Sequence, residues 1–302
     1  MIATIGFFDG VHLGHRHLID TMIREGRQLG QETMVITFNC HPRQVVQPEW
    51  RPQLLTSLDE KLSLLKATGV NRCHVLHFDR EMASLSAHDF MRDVLKGQLG
   101  VTTLITGYDN RFGHDRLEGF DDYVRYGKEM GMNVMRGDEL TVGDVNVSSS
   151  SIRRMLAEGH LVEATRCLDR YYTITGKVVE GEQIGRTIGF PTANISPNDC
   201  LKLIPANGVY AAEAYIDSEG ECIGDDSVSN KKFKAMVNIG HRPTFDGKKD
   251  TIEAHLLNFS GNLYGHTLTI AFKERIREER RFRSPEELIT QIREDEAKVL
   301  NG

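Results

Sequence analysis

Ile2-Ala3-Thr4-Ile5-Gly6-Phe7-Phe8-Asp9-Gly10-Val11-His12-Leu13-Gly14-His15 opens the chain and decides its first fold. Residues 2–6 are an apolar, β-branched run, and Leu18, Ile19, Met22, Ile23 and Leu29 then recur at a helical period. The glycine-bearing stretch between them is therefore the turn of a strand-turn-helix unit. Glycines at 6, 10 and 14 permit tight turning and close backbone approach. A helix start offers unpaired N–H groups and a positive dipole to a phosphate, so ATP could lie there. The spacing is neither the Walker pattern nor the dinucleotide GxGxxG, which disfavours P-loop kinase and Rossmann dehydrogenase readings. His12 and His15 can both point at one phosphate. Such a pair suits nucleotidyl transfer, where charge builds on the α-phosphate oxygens and the leaving pyrophosphate and preorganised donors stabilise it. Taken alone, His12, His15 and His17 read more simply as polar helix-start residues or a chance metal cluster.

The alternation continues outward. Residues 33–38, 72–78 and 102–107 are further strand-like runs, and Phe90, Met91, Val94 and Leu95 follow a helical period behind a candidate N-cap, Ser86. Alternating strands and helices predict a parallel sheet with helices on its faces. From Tyr172 the pattern changes to strand runs at 173–179, 208–216, 233–239, 251–257 and 268–272, which predict a compact antiparallel barrel, with 217–232 as a long exposed hairpin loop. Ser284 and Glu287 bracket Pro285 as a capping box, and Leu288, Ile292 and Val299 mark one face of a docked terminal helix. A length of 302 residues suits two domains, expected at 1–165 and 166–302.

Composition narrows the function classes. No apolar run approaches the ~18 residues of a membrane span, and the chain enters its first strand without a basic stretch or signal-like core, so a cytoplasmic protein without membrane contact is expected. The five cysteines are odd in number and scattered, with no CxxC pair, which indicates neither a disulfide framework nor a zinc site. A net charge of -6 gives no general attraction for polyanions, so phosphate binding must come from local geometry and nucleic acid is not an expected partner.

Two more segments support the first site. Gly107-Tyr108-Asp109-Asn110-Arg111-Phe112-Gly113 follows the fourth strand, at the edge where α/β sheets place ligands. In Val147-Ser148-Ser149-Ser150-Ser151-Ile152-Arg153 the serines can cap a helix and donate to phosphate while Arg153 supplies a charged fork, though a serine run also reads as a plain loop. In the second half, Gly176-Lys177-Val178-Val179-Glu180-Gly181 leads through Gly185-Arg186-Thr187-Ile188-Gly189 to Phe190-Pro191-Thr192-Ala193-Asn194. Glycines at this density imply a flap folding closely over something. Thr192 and Asn194, two apart on an extended segment, face one side and could share a Mg²⁺; the same residues also read as a turn.

The HxGH turn and the SSS-IR segment resemble the adenylyltransferase module of prokaryotic bifunctional FAD synthetases, as does Thr37-Phe38-Asn39-Cys40-His41-Pro42. HxGH alone belongs to a wider nucleotidyltransferase superfamily. The GxVxxG segment followed by GRxxGFPTAN closely resembles the riboflavin kinase family, and further matches run through Gly208-Val209-Tyr210, Asn238-Ile239-Gly240, Arg242-Pro243-Thr244, Ile252-Glu253-Ala254-His255, Tyr264-Gly265 and 277–282. The resemblance implies an α/β, Rossmann-like nucleotidyltransferase domain followed by a small antiparallel β-barrel kinase domain with a C-terminal helix. It implies ATP phosphate contacts at His12 and His15, further ATP contacts at Gly6, Phe8, Asp9, Gly10 and Gly14 of the same turn, Asp109 holding the nucleotide, and Ser149, Ser150 and Arg153 on the phosphates. In the barrel it implies Glu253 as the general base on the ribityl 5′-hydroxyl of riboflavin, Gly181 and Arg186 near ATP phosphates, Tyr264 near the nucleotide, and Thr192 and Asn194 on Mg²⁺. Arg277, Arg280 and Phe282 would contact the flavin. Phe7 stands where that family commonly has asparagine, and Asn110 where it has an aromatic.

Expected substrates and products are thus riboflavin, FMN, FAD and ATP, with ATP phosphorylating riboflavin and then adenylylating FMN. Two other readings stand beside this one at the level of sequence: a riboflavin kinase fused to a nucleotidyltransferase for another small phosphate ester, and a flavin-binding regulator without chemistry.

Overall fold

The computed structural model describes residues 1–108, 110–114, 117–143, 145–181, 183–216, 231–244 and 247–301. The chain divides into two compact units, Met1–Ser151 and Ile152–Gly302.

The first unit is built on five parallel strands, β1 (Ile2–Ile5), β2 (Thr33–Phe38), β3 (Arg72–Leu76), β4 (Thr103–Thr106) and β5 (Asn133–Arg136), in the order β3-β2-β1-β4-β5. β1 is central and buried along its whole length, as a parallel strand covered on both faces must be. Its side chains alternate. Ala3 and Ile5 join one core cluster with Ile36, Met91 and Leu104, while Ile2 joins the other with Ile19, Met22 and Val35. The helix Leu13–Leu29 packs its Leu18, Ile19 and Met22 stripe on the second face and ends at Gly30 with φ 62, a left-handed C-cap. Ser86 caps a later helical stretch by accepting the Asp89 N–H, and Phe90, Met91, Val94 and Leu95 on it are buried. Strand order reverses direction between β1 and β4, which makes the crevice beyond their carboxyl ends the ligand position of such sheets.

β5 was not legible as a strand. It is a four-residue edge with exposed Asn133 and Arg136, so it lacks the apolar run that marked its neighbours. A two-stranded ribbon follows, β6 (Thr141–Val142) with β7 (Val145–Asn146).

The second unit holds a closed barrel of β8 (Tyr172–Val179), β9 (Ala193–Pro197), β10 (Gly208–Ile216), β11 (Lys232–Thr244), β12 (Gly247–Leu256) and β13 (Thr267–Arg277), ordered β10-β11-β12-β9-β8-β13 with antiparallel pairing throughout. Closure removes sheet edges, and inward residues such as Ile174, Val237, Ile270 and Phe272 are fully or nearly fully buried. β9 comes from the PTAN segment itself, whose short ladder to β8 and β12 completes the ring. β10 and β11 are consecutive and antiparallel, as a hairpin demands; its loop, 217–230, lies outside the described residues.

The C-terminal helix, Pro285–Asn301, begins where Ser284 accepts the Glu287 N–H at 3.3 Å. Its most buried face differs from the expected apolar one. Gln291, Asp295 and Val299, spaced four apart, turn inward, while Leu288 and Ile292 are half-buried.

Candidate active sites

In the first unit the turn after β1 is held from four directions. The Asp9 carboxylate, 3% exposed, accepts the backbone N–H of Leu55 at 2.9 and 3.0 Å and that of Thr56 at 3.1 Å. The Gly10 N–H returns a bond to Thr56 Oγ1 at 3.0 Å. Thr37, near the end of β2, donates its hydroxyl to Phe7 O at 3.1 Å, and Asn110, after β4, donates to Ile5 O at 2.6 Å. Asn110 thus bridges the switch point between β1 and β4. Ser149 Oγ donates to Asp9 O at 3.0 Å.

So constrained, the turn adopts unusual backbone angles: Phe8, Gly10 and Val11 have φ of 53, 81 and 39. A β-branched residue at positive φ is rare, and persists only where its surroundings over-determine it, as they do here. The result aims His12 at the start of the helix. His12 is its N-cap, Nδ1 accepting the His15 N–H at 3.3 Å, so the neutral ring carries its proton on Nε2. The His15 ring stacks on it at 3.6 Å and an interplanar angle of 19°, with the edge of Phe8 behind. Gly14 leaves room for this packing: a Cβ there would crowd Val147 O at 3.0 Å and the His12 ring at 3.2 Å. Two imidazoles therefore share one orientation at a helix N-terminus, a place whose dipole and unpaired N–H groups favour an anion.

The serine run divides its labour. Ser148 and Ser151 cap the helix Ser149–Glu158 reciprocally, each accepting the other's N–H at about 3 Å. Ser149 is tied to Asp9, and Ser150 is exposed. Arg153 is half-buried on the same helix. Asp109 lies outside the described residues.

In the barrel, a cavity of about 330 Å³ is lined by Thr192, Asn194, Glu253, Arg277, Arg280 and Phe282, among others. Register explains part of this gathering: Asn194 pairs with Glu253 across β9 and β12, and Glu253 with Asn238 across β12 and β11. These three polar side chains form one row across three strands. Thr192 Oγ1 donates to Glu253 Oε2 at 3.4 Å. With its proton turned to Glu253, the Thr192 hydroxyl directs lone pairs elsewhere, and Asn194, whose amide carries a second oxygen, lines the same cavity. Hard oxygen donors of this kind suit Mg²⁺. A Cβ on Gly181 would collide with the Asn194 side chain, so the glycine lets the flap close on that residue. Gly181 is half-buried, whereas Arg186 is exposed, its guanidinium 3.5 Å from Gln183 Oε1, and Tyr264 is 38% exposed; none of the three lines the cavity.

Three supporting residues escaped the sequence reading. His255 holds Pro191 O by Nδ1 at 2.7 Å and so anchors the PTAN segment beside Glu253. Asp295, 0% exposed, accepts from Arg277 Nε at 2.7 Å and from Gln291 Nε2 at 2.9 Å, and Gln291 Oε1 in turn accepts from Arg280 at 2.6 Å. The C-terminal helix thereby presents both arginines to Phe282, at 5.7 and 4.8 Å from its ring. The signal was the four-residue spacing of Gln291, Asp295 and Val299. Changing Asp295 to Ala removes the buried carboxylate that holds the half-buried Arg277 guanidinium, which keeps its bond to Glu278 O, and should cost about 2 kcal/mol of stability. Thermal melts of the variant against the wild type check this.

A parallel-sheet unit with an HxGH turn at its switch point, ahead of a barrel with an oxygen-lined cavity, defines a two-domain transferase that joins a nucleotidyltransferase to a small-molecule kinase. Comparisons with known proteins agree in detail. The family model for FAD synthetase matches residues 1–151, and that for riboflavin kinase matches residues 168–301. The bifunctional riboflavin kinase/FMN adenylyltransferase of Escherichia coli K12 is 37% identical over 98% of this chain and 90% of its own length. That of Bacillus subtilis is 33% identical over 99% and 91%. The chain belongs to the bifunctional riboflavin kinase/FMN adenylyltransferase family. Among solved structures, one described as a macrolide-efflux protein from Streptococcus pneumoniae has a TM-score of 0.88 at 29% identity, covering 100% of this chain and 94% of its own. Its name speaks of efflux; among the described residues of this chain no helix is long and apolar enough to cross a membrane.

Proposed function

We propose that this chain makes FAD from riboflavin in two ATP-dependent steps, each at one of the sites described. The domain division for function is 1–165 for adenylylation and 166–302 for phosphorylation; the family matches at 1–151 and 168–301 fall within these ranges.

In the barrel, riboflavin lies along Arg277, Arg280 and Phe282 with its ribityl 5′-hydroxyl at Glu253. Glu253 accepts the hydroxyl proton as the oxygen attacks the γ-phosphorus of ATP and ADP leaves. Thr192 and Asn194 would hold Mg²⁺, which supplies charge neutralisation on the ATP phosphates. Gly181 and Arg186 serve the phosphates and Tyr264 the nucleotide. The observation that carries this half is the cross-strand row of Asn194 and Glu253 with Thr192 3.4 Å from the carboxylate.

In the α/β unit, the phosphate of FMN attacks the α-phosphorus of ATP and pyrophosphate leaves. His12 and His15 donate to the oxygens on which charge accumulates, helped by the helix N-terminus and by Ser149, Ser150 and Arg153; Asp109 steadies the nucleotide. Asp9 acts through its grip on Leu55 and Thr56, which sets the turn. The carrying observation is the stacked histidine pair at a strained turn. Both reactions use soluble partners, and we take the enzyme to be cytoplasmic, acting on riboflavin, FMN and ATP without nucleic acid or membrane.

Chromatography of flavins after mixing the protein with riboflavin, ATP and Mg²⁺ is expected to show FMN rising first and FAD after it. Supplying FMN should bypass the first step, and a chelator should stop the second as well as the first. Absence of any FAD from FMN and ATP would refute the assignment of the first unit.

A further inference from the structure

The helix Leu58–Lys66 follows the segment that grips the HxGH turn. A lysine inside such a short amphipathic helix ordinarily keeps its head in water. Lys61 is instead 2% exposed. Its ammonium donates to Phe38 O, the last carbonyl of β2, at 3.0 Å and stands 4.0 Å over the ring of Phe7. The Asp9 carboxylate of the turn, Cys40 after β2 and Cys73 on β3 lie within electrostatic reach of it, while His41 packs edgewise on Phe7. Burial pushes Lys61 down to about 8, with Asp9 acting in the other direction.

Nothing in the proposed chemistry uses this group, and a buried ammonium is a poor choice for stability where an apolar side chain of like volume would do. The turn itself supplies a reason. Asp9 is needed to bind Leu55 and Thr56, yet its negative charge stands in the loop that must receive the phosphates of ATP and FMN. In a site of low dielectric that charge repels polyanions strongly.

We propose that Lys61 is a positioning residue of the adenylyl-transfer site, an inference that rests on the reading given above: its buried ammonium offsets the charge of Asp9 and ties the end of β2 to Phe7, so that the HxGH turn meets the phosphates without a net negative charge beside it. Lys61 touches no reacting atom in this scheme. It acts through Asp9, Phe7 and the backbone of Phe38.

The test compares the wild type, Lys61→Met and Lys61→Arg as full chains, with FMN adenylylation and riboflavin phosphorylation measured on the same samples. Lys61→Met is expected to raise the KM for ATP and for FMN in adenylylation by about tenfold, one pKa unit's worth of interaction, with a smaller change in kcat. Riboflavin phosphorylation, which uses the other unit, should stay within about twofold, and Tm should not fall. Lys61→Arg should recover most of the lost affinity. Because the ammonium is present below its titration and lost above it, wild-type adenylylation should decline as pH rises through about 8, and Lys61→Met should lack that decline. Unchanged KM values in Lys61→Met with the alkaline decline still present would overturn the proposal. So would a joint fall of both activities with Tm, which marks a merely structural lysine. A wild type that makes no FAD would instead bring down the parent reading, so the two failures are told apart.

Discussion

Glu253→Gln is expected to lower kcat for riboflavin phosphorylation by about 10²–10³-fold, the lower part of the roughly 10²–10⁴-fold that a positioned general base supplies. The substitution keeps shape and hydrogen-bonding capacity. Thr192, 3.4 Å away, can still donate to the amide oxygen, so the β9–β12 corner should hold and KM for ATP should change little. What the amide lacks is the ability to take a proton from the 5′-hydroxyl. Phosphoryl transfer passes through a loose transition state in which most of the catalysis is positioning, so the effect should not exceed this range. FMN adenylylation by the same polypeptide should be unaffected, which makes the chain its own control for folding and concentration. Measurement of both rates in one preparation decides the matter: a Glu253→Gln protein that phosphorylates riboflavin at the wild-type rate has no base at this position.

The parts of this molecule that could be read from sequence are those where a local pattern and a local structure coincide. The strand 2–5 feeding a glycine-spaced turn and a helix from Leu13 changes period within a few residues, and the structure follows that change. Thr192, Asn194 and Glu253 were accessible for a different reason: each lies in a segment whose residue order is characteristic of the riboflavin kinase family, and β9 pairing with β12 then brings them together. Residues whose role depends on distant partners stayed hidden. Asp9 reads as one more polar residue in a phosphate turn until its bonds to Leu55 and Thr56, more than forty positions away, are seen. Lys61 and Asp295 sit on helices where a charged side chain normally marks the wet face, and both are buried. Their burial follows from where the helices dock, which periodicity alone does not encode. Arg186 and Tyr264 show the converse: motif residues that remain exposed, outside the cavity wall.

His12→Ala is expected to reduce FMN adenylylation by about 10²–10³-fold, comparable to removing one preorganised donor from an oxyanion site. Two effects are mixed in that variant. The His12 ring is the N-cap of the helix Leu13–Leu29, and losing a cap costs about 1 kcal/mol. His15 also loses the ring on which it stacks at 3.6 Å. His12→Asn separates these contributions, because asparagine is a good N-cap and can accept the His15 N–H, while its amide is too short to present a donor where imidazole Nε2 does. The cap argument alone predicts that His12→Asn recovers both Tm and adenylylation. The donor argument predicts recovery of Tm with adenylylation still depressed by about 10²-fold or more. We expect the second pattern, with riboflavin phosphorylation unchanged in either variant, since that reaction uses the barrel. Wild-type FAD formation by His12→Asn would reduce the histidine to a helix cap and remove the principal phosphate donor from the proposed chemistry.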